Sequence, residues 1–189
     1  VRWSSEPDGN LLGIGPSVSN PLTGEIISAD VVNKLLAIKL GYNYRKLYGY
    51  TEDNDPLMQY ITNLTLHEVG HVLGLRHNFR GSYLYSPDEI HDKNITGNVL
   101  MSSVMDYDPI NIAPEGVEQG IYFSTEPGVY DKWAVKFGYT PNLTEEERTA
   151  LLQQSVKREL TFGTDDDAMS YPGNNIDPRT IVLGSILLP

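Results

Sequence analysis

Residues 67–79, HEVGHVLGLRHNF, hold three of the four histidines in the chain. They constrain the fold more tightly than any other stretch. Asp55 is a good N-cap and Pro56 suits the first helical position, so a helix is predicted from there to about Leu73, ending at Gly74. At 3.6 residues per turn, His67 and His71 share one face of that helix, one turn apart. Their imidazoles can converge on one metal ion at about 2.0–2.1 Å, the usual zinc–nitrogen distance. Glu68 is rotated by roughly 100° from the first histidine. That aim is poor for an equal ligand and good for reaching a water held by the metal, as a general base does. Gly74 accepts the left-handed backbone that stops a helix and turns the chain, so His77 can reach the ion from outside the helix. Three nitrogens leave a fourth position open, the arrangement of a catalytic rather than a closed structural zinc site.

The short pattern HExxH arises by chance in unrelated helices, but H-E-x-x-H-x-x-G-x-x-H fixes five positions. The remaining histidine, His91 in DEIHDKN, reads as a solvated loop residue. Met105, in SSVMDYDP, would alone be core filler. Downstream of the histidine pattern it reads as the second half of the same signature, a methionine-bearing turn beneath the metal.

The rest of the chain narrows the alternatives. The formal net charge is −11 and no basic run occurs, which argues against a nucleic-acid surface. No apolar stretch approaches the roughly eighteen residues of a membrane span. Without cysteine, thiolate ligands, disulfides and a cysteine nucleophile are excluded. The first residues, VRWSSEPDGN, carry neither an initiator methionine nor a signal sequence, and both ends read as cut from something longer.

Residues 1–27 read as short strands and turns. Ser28 or Asp30 is expected to cap a helix running to about Leu40, with Gly41 as its stop. YNYRKLYGY is ambiguous, and residues 80–128 read as a long irregular segment. A short helix is expected over about 129–137, stopped by Gly138. Thr144 and Glu147 stand in capping-box spacing ahead of a helix reaching about Leu160. The last thirty residues read as loop. One domain, 1–189, is expected, with 1–76 as an upper part carrying the sheet and the histidine helix and 77–189 as a lower part carrying the methionine turn.

Taken together, HEVGHVLGLRHNFRGS, SSVMDY, GPSVSNPLTGEIISADVV and YDKWAVKFGY resemble the metzincin clan of zinc endopeptidases, and within it a large bacterial family of zinc-dependent metalloproteases. The resemblance covers most of the chain from about Val1 to Tyr139. It implies an α+β zincin-like fold: a twisted mixed sheet, a long active-site helix above the cleft, and an irregular, partly helical lower subdomain. Under it GPSVSNPLTGEI supplies or borders the edge strand, against which a peptide or protein substrate lies extended. His67, His71 and His77 are then the ligands of one catalytic Zn2+, Glu68 the general base and Met105 the Met-turn residue. Tyr107 matches a tyrosine that in astacins and serralysins is a fifth ligand or a transition-state stabiliser; a hydrogen-bonded structural tyrosine is the alternative. Asp131 and its helix take a structural role. The implied activity is hydrolysis of internal peptide bonds, in an extracellular or periplasmic setting. A zinc-containing scaffold without activity and a zinc hydrolase of another substrate class are the competing readings.

There are departures from the pattern. Asn78 follows the third histidine where better-known branches carry other residues, the first strand and helix of a complete domain are expected to lie upstream, and no cysteine exists to act as a latency switch. Ca2+ could bind the acidic stretches DNDP and TDDDAMSYPGNNIDP, although neither fits an EF-hand loop and exposed acidic loops are the commoner explanation. The NLT and NIT triplets at 63, 94 and 142 match the glycosylation pattern; the first lies inside the predicted helix, and all three are discounted.

Overall fold

A computed structural model describes residues 1–5 and 12–168. Three short strands form a mixed sheet in the order β1 (Arg2–Ser4), β5 (Val32–Lys34), β2 (Gly13–Ile14). β5 is parallel to β1, with Trp3 opposite Asn33, and antiparallel to β2, with Gly13 opposite Asn33. β3 (Ser17–Ser19) and β4 (Ile26–Ala29) form a separate antiparallel hairpin, bulged at Val18/Ser19. Asn20 opens its turn, its side chain accepting from Leu22 N at 2.9 Å, and Gly24 supplies the positive φ of 75°. GPSVSNPLTGEI therefore builds this hairpin and borders the sheet edge, which is formed by β2 just upstream.

The helix expected from Ser28 or Asp30 begins later and runs further. Residues 32–34 are strand, because their backbone pairs on both sides with β1 and β2, and α1 spans Leu35–Tyr48. Gly41 does not stop it. A β-carbon there would fall 2.7 Å from Leu57 Cδ1, so Gly41 marks where α1 packs against α2 (Pro56–Val72). The stop is Gly49, at φ 76°.

α2 begins as the sequence predicts. The Asp55 carboxylate accepts from Leu57 N at 3.0 Å and caps the helix. It also pairs with Arg45 in the last turn of α1, and that guanidinium holds the Asp55 carboxyl below the usual carboxylate range. The buried stripe of α2 runs through Pro56, Gln59, Tyr60, Asn63, His67 and Gly70, three and four residues apart. It is largely polar, so its partners are specific. Gln59 Oε1 accepts from Tyr122 N at 2.7 Å and Phe123 N at 3.2 Å. Asn63 Nδ2 donates to Asp108 Oδ2 at 3.1 Å and to the Ser124 carbonyl at 3.3 Å. Asn33, fully buried in the sheet, donates to Thr65 Oγ1 at 2.9 Å and ties β5 to the same helix. These bonds satisfy groups that burial would otherwise leave costly. One apolar core, Ala37, Tyr60, Tyr122 and Phe123, fills the space between α1, α2 and the segment beneath.

That segment is mostly irregular, as expected from its turn formers, with a 3-10 turn at Gly81–Tyr83 and a short helix α3 (Lys93–Thr96). His91 is half-buried, not solvated, and its Nδ1 is buried without a hydrogen-bond partner among the described residues. α4 (Val129–Tyr139) continues through Gly138. The Tyr139 hydroxyl donates to the Leu73 carbonyl at 2.8 Å, joining the end of α4 to the end of α2. α5 (Glu145–Leu152) has the Thr144–Glu147 capping box, then gives way to 3-10 turns at Gln153–Val156 and Arg158–Leu160 where one helix to Leu160 was expected. Asp165–Ala168 form a short helix, α6, within the stretch read as loop; the remainder of that stretch lies outside the described residues. No helix among the described residues is long and apolar enough to cross a membrane.

Candidate metal centre

The end of α2 is shaped by Gly74, at φ 83°. Gly74 N donates to the His71 carbonyl at 2.9 Å and Leu75 N to the Gly70 carbonyl at 3.0 Å. These two bonds are a Schellman motif, which closes the helix and reverses the chain. The reversal brings His77 back towards the helix it has left. The His67 and His71 rings lie 4.8 Å apart, as do those of His71 and His77, and those of His67 and His77 5.4 Å.

Each of the three imidazoles is held by its Nδ1. His67 Nδ1 donates to the Val104 carbonyl at 2.7 Å, and His71 Nδ1 to the Leu75 carbonyl at 3.1 Å. A carbonyl can only accept, so both rings carry hydrogen on Nδ1 and keep a free lone pair on Nε2. His77 Nδ1 bonds to Asp165 Oδ1 at 2.8 Å, which assigns the same tautomer. The ligand atoms lie within 4.8 Å of one another, and these histidines are the one group of three or more potential metal ligands among the described residues. Neutral imidazoles with fixed tautomers and converging free nitrogens fit zinc. Burial works in the same direction on the two helical histidines: it lowers His67 to about 4 and also lowers His71, which keeps those two rings unprotonated and able to ligate.

The turn around Met105 lies beneath the helix and is built to hold His67. Asp131, buried at the start of α4, accepts from Ser103 Oγ at 2.6 Å, Val104 N at 2.8 Å and Gly128 N at 2.8 Å. With Val104 N so anchored, its carbonyl is aimed at His67. The structural role expected of Asp131 thus acts on the turn itself. Met105 is fully buried, its sulfur pressed against Gly70, one residue before His71.

Glu68 is 5 % exposed and is covered by β2 and the residue after it. A β-carbon on Gly13 would stand 2.4 Å from Glu68 Oε1, and one on Gly15 2.2 Å from the Glu68 carbonyl oxygen. The strand therefore needs both glycines to lie this close. Burial raises the Glu68 carboxyl to about 7; a cation at the histidines would draw it back down. The Tyr107 hydroxyl is 2.8 Å from His77 Nε2, on the nitrogen left free for a metal. Burial, with the nearby charges of Asp165 and Glu68, raises it to about 12, so it remains a phenol able to donate.

Two parts of the site went unread in the sequence. One is the close approach of Gly13 and Gly15 to Glu68, beyond the reading of GPSVSNPLTGEI as supplying or bordering the edge strand. The other is the segment 161–166, which returns to the histidine loop. Asn78 is the junction: its backbone N donates to the Met105 carbonyl at 3.0 Å and its Nδ2 to the Thr161 carbonyl at 3.1 Å, while its Oδ1 accepts from Gly163 N at 3.1 Å. Its departure from better-known branches has this structural use. Of the acidic groups considered for calcium, Asp55 is engaged by Arg45, Asp165 by His77 and Asp166 by Arg76; Asp177 lies outside the described residues.

The sequence matches the Met-zincin family over residues 50–182. The chain belongs to the Met-zincin family. No curated protein and no solved structure matches it. The matched span begins just before α2, so it takes in the three histidines, Glu68, the Met105 turn and α4. The α+β architecture, with small sheets and a long histidine-bearing helix, is that of a Met-zincin domain, and the histidine triad is compatible with a zinc ion.

Proposed function

We propose that this Met-zincin is a zinc-dependent endopeptidase that hydrolyses internal peptide bonds. The observation that carries the reading is a juxtaposition. Three imidazoles tethered at Nδ1 converge through Nε2, and the helix position next to His67 carries a buried carboxylate, Glu68. A purely structural zinc site has no use for that carboxylate.

When bound, zinc supplies Lewis acidity to a substrate carbonyl and acidifies water at its open position. Glu68 carries the proton: its carboxylate takes it from the attacking water and returns it to the nitrogen of the departing amine. One carboxylate does both in turn, as base and then as acid. The Tyr107 hydroxyl, kept protonated, is a donor for the developing oxyanion. The substrate is an extended peptide lying along β2, where backbone hydrogen bonding sets its register irrespective of side chain.

Glu68→Ala separates chemistry from metal binding. The reading expects zinc content to stay at one ion per chain while cleavage of a peptide library is lost. Full activity in that variant would remove Glu68 from the mechanism. A wild-type protein that holds zinc and cleaves no peptide would favour a silent scaffold.

A further inference from the structure

His77 differs from the other two histidines in how it is held. His67 and His71 stand on a regular helix and bond to backbone carbonyls, of Val104 in the Met105 turn and of Leu75 just past the helix end. His77 lies beyond the helix stop, without that constraint. Its Nδ1 bonds instead to a side chain 88 residues away, Asp165 Oδ1, at 2.8 Å.

Asp165 is itself placed by the chain on both sides of the contact. Phe79 N donates to the Gly163 carbonyl at 2.7 Å, and Asn78 bridges Thr161 and Gly163. Arg76, one residue before His77, donates to Asp166 Oδ2 at 2.9 Å at the exposed surface, a pair that adds little to the hold on the segment, and lies 3.8 Å from Asp165 Oδ2. The segment 161–166 thus runs as a strap across residues 76–79, with the carboxylate of Asp165 meeting the ring.

We propose that Asp165 is the positioning residue for the third zinc ligand: its carboxylate receives the His77 Nδ1 hydrogen and so fixes where Nε2 points. The inference rests on the zinc reading above and adds to it a residue outside the histidine motif. A charged acceptor makes a bond roughly twice as strong as a neutral one, and this is the one ligand that no helix orients. Carboxylate partners of ligating histidines typically contribute 10–100-fold in metal affinity.

The test measures zinc affinity by competition with a chromophoric chelator, on the whole chain, for wild type, Asp165→Ala, Asp165→Asn and Asp166→Ala. Visible absorption of the Co2+-substituted proteins reports ligand geometry, and melting of the metal-free proteins reports structure alone. Asp165→Ala should bind zinc about 10–100-fold more weakly and show an altered Co2+ spectrum. Asp165→Asn, nearly the same shape, should show a smaller loss with metal-free melting unchanged; it decides the matter if the alanine variant does not fold. Asp166→Ala, which removes only a partner of Arg76, should bind zinc as wild type does. Wild-type affinity in both Asp165 variants, or an equal loss in Asp166→Ala, overturns the inference alone. A wild-type protein that binds no zinc sinks the zinc reading and this inference with it.

Discussion

The sulfur of Met105 occupies the space where a β-carbon on residue 70 would stand: that carbon would fall 2.1 Å from Met105 Sδ. The contact lies between the two helical histidines, so the packing of the Met-turn and the spacing of the ligands are one structural fact. Gly70→Ala should therefore cost about 1–3 kcal/mol through overpacking, although alanine is the better helix former. The urea midpoint checks it. A stability gain, as helix propensity alone would give, would contradict the close packing.

The strand over Glu68 makes a more selective prediction. In Gly13→Ala the added methyl meets the end of the Glu68 side chain, 2.4 Å from Oε1, which can swing away. Zinc content should stay intact while turnover falls at least about tenfold, a small change for a displaced general base. In Gly15→Ala the methyl meets the Glu68 backbone carbonyl, which cannot move without the helix, so the loss should appear in stability. Normal turnover in folded Gly13→Ala would show that β2 leaves the base free.

Glu68 and His67 move the stability of the metal-free protein in opposite directions. Burial raises Glu68 from 4.5 to about 7, so the folded state binds its proton more tightly than the unfolded chain. Its contribution is full below about pH 4.5 and is lost as pH rises towards 7. Burial lowers His67 from 6.5 to about 4; its contribution is full above pH 6.5 and is lost as pH falls towards 4. Glu68→Gln removes only the first of these. In the presence of a chelator, the urea midpoint of Glu68→Gln relative to wild type should increase between about pH 4.5 and about pH 7. A pH-independent difference would show that the carboxyl titrates normally.

Tyr107→Phe removes one hydroxyl, 2.8 Å from His77 Nε2. Three imidazoles remain, so zinc affinity should change little, while kcat should fall by about 10–1000-fold if the hydroxyl stabilises the oxyanion. Steady-state kinetics on one peptide separates this from binding: an unchanged kcat, whatever the KM, would take the Tyr107 hydroxyl out of the chemical step.

The parts of this site that were readable from the sequence are those set by local chemistry. Asp55 and Pro56 start α2 and Gly74 ends it whatever surrounds them, and the spacing of His67 and His71 follows from helix geometry. Gly41 and Gly138 show where this breaks down. Both read as stops in the sequence, yet one serves close packing on Leu57 and the other simply continues a helix, and only tertiary contacts distinguish these uses. The need for Gly13 and Gly15 arises from Glu68 opposite them, and Asp165 reaches His77 from a stretch whose composition reads as loop. The buried face of α2 carries Gln59, Asn63 and His67, so its periodicity is one of position rather than of hydrophobicity.

The account stands on one ion held by three imidazoles, one of them from beyond the helix. Zinc-edge X-ray absorption on protein loaded with one equivalent of zinc tests this most directly, with His77→Ala measured alongside. The wild-type spectrum should fit three imidazole nitrogens at about 2.0–2.1 Å and one lighter ligand, and the variant should fit two imidazoles. Two imidazoles in the wild type, or an identical spectrum in the variant, would contradict it.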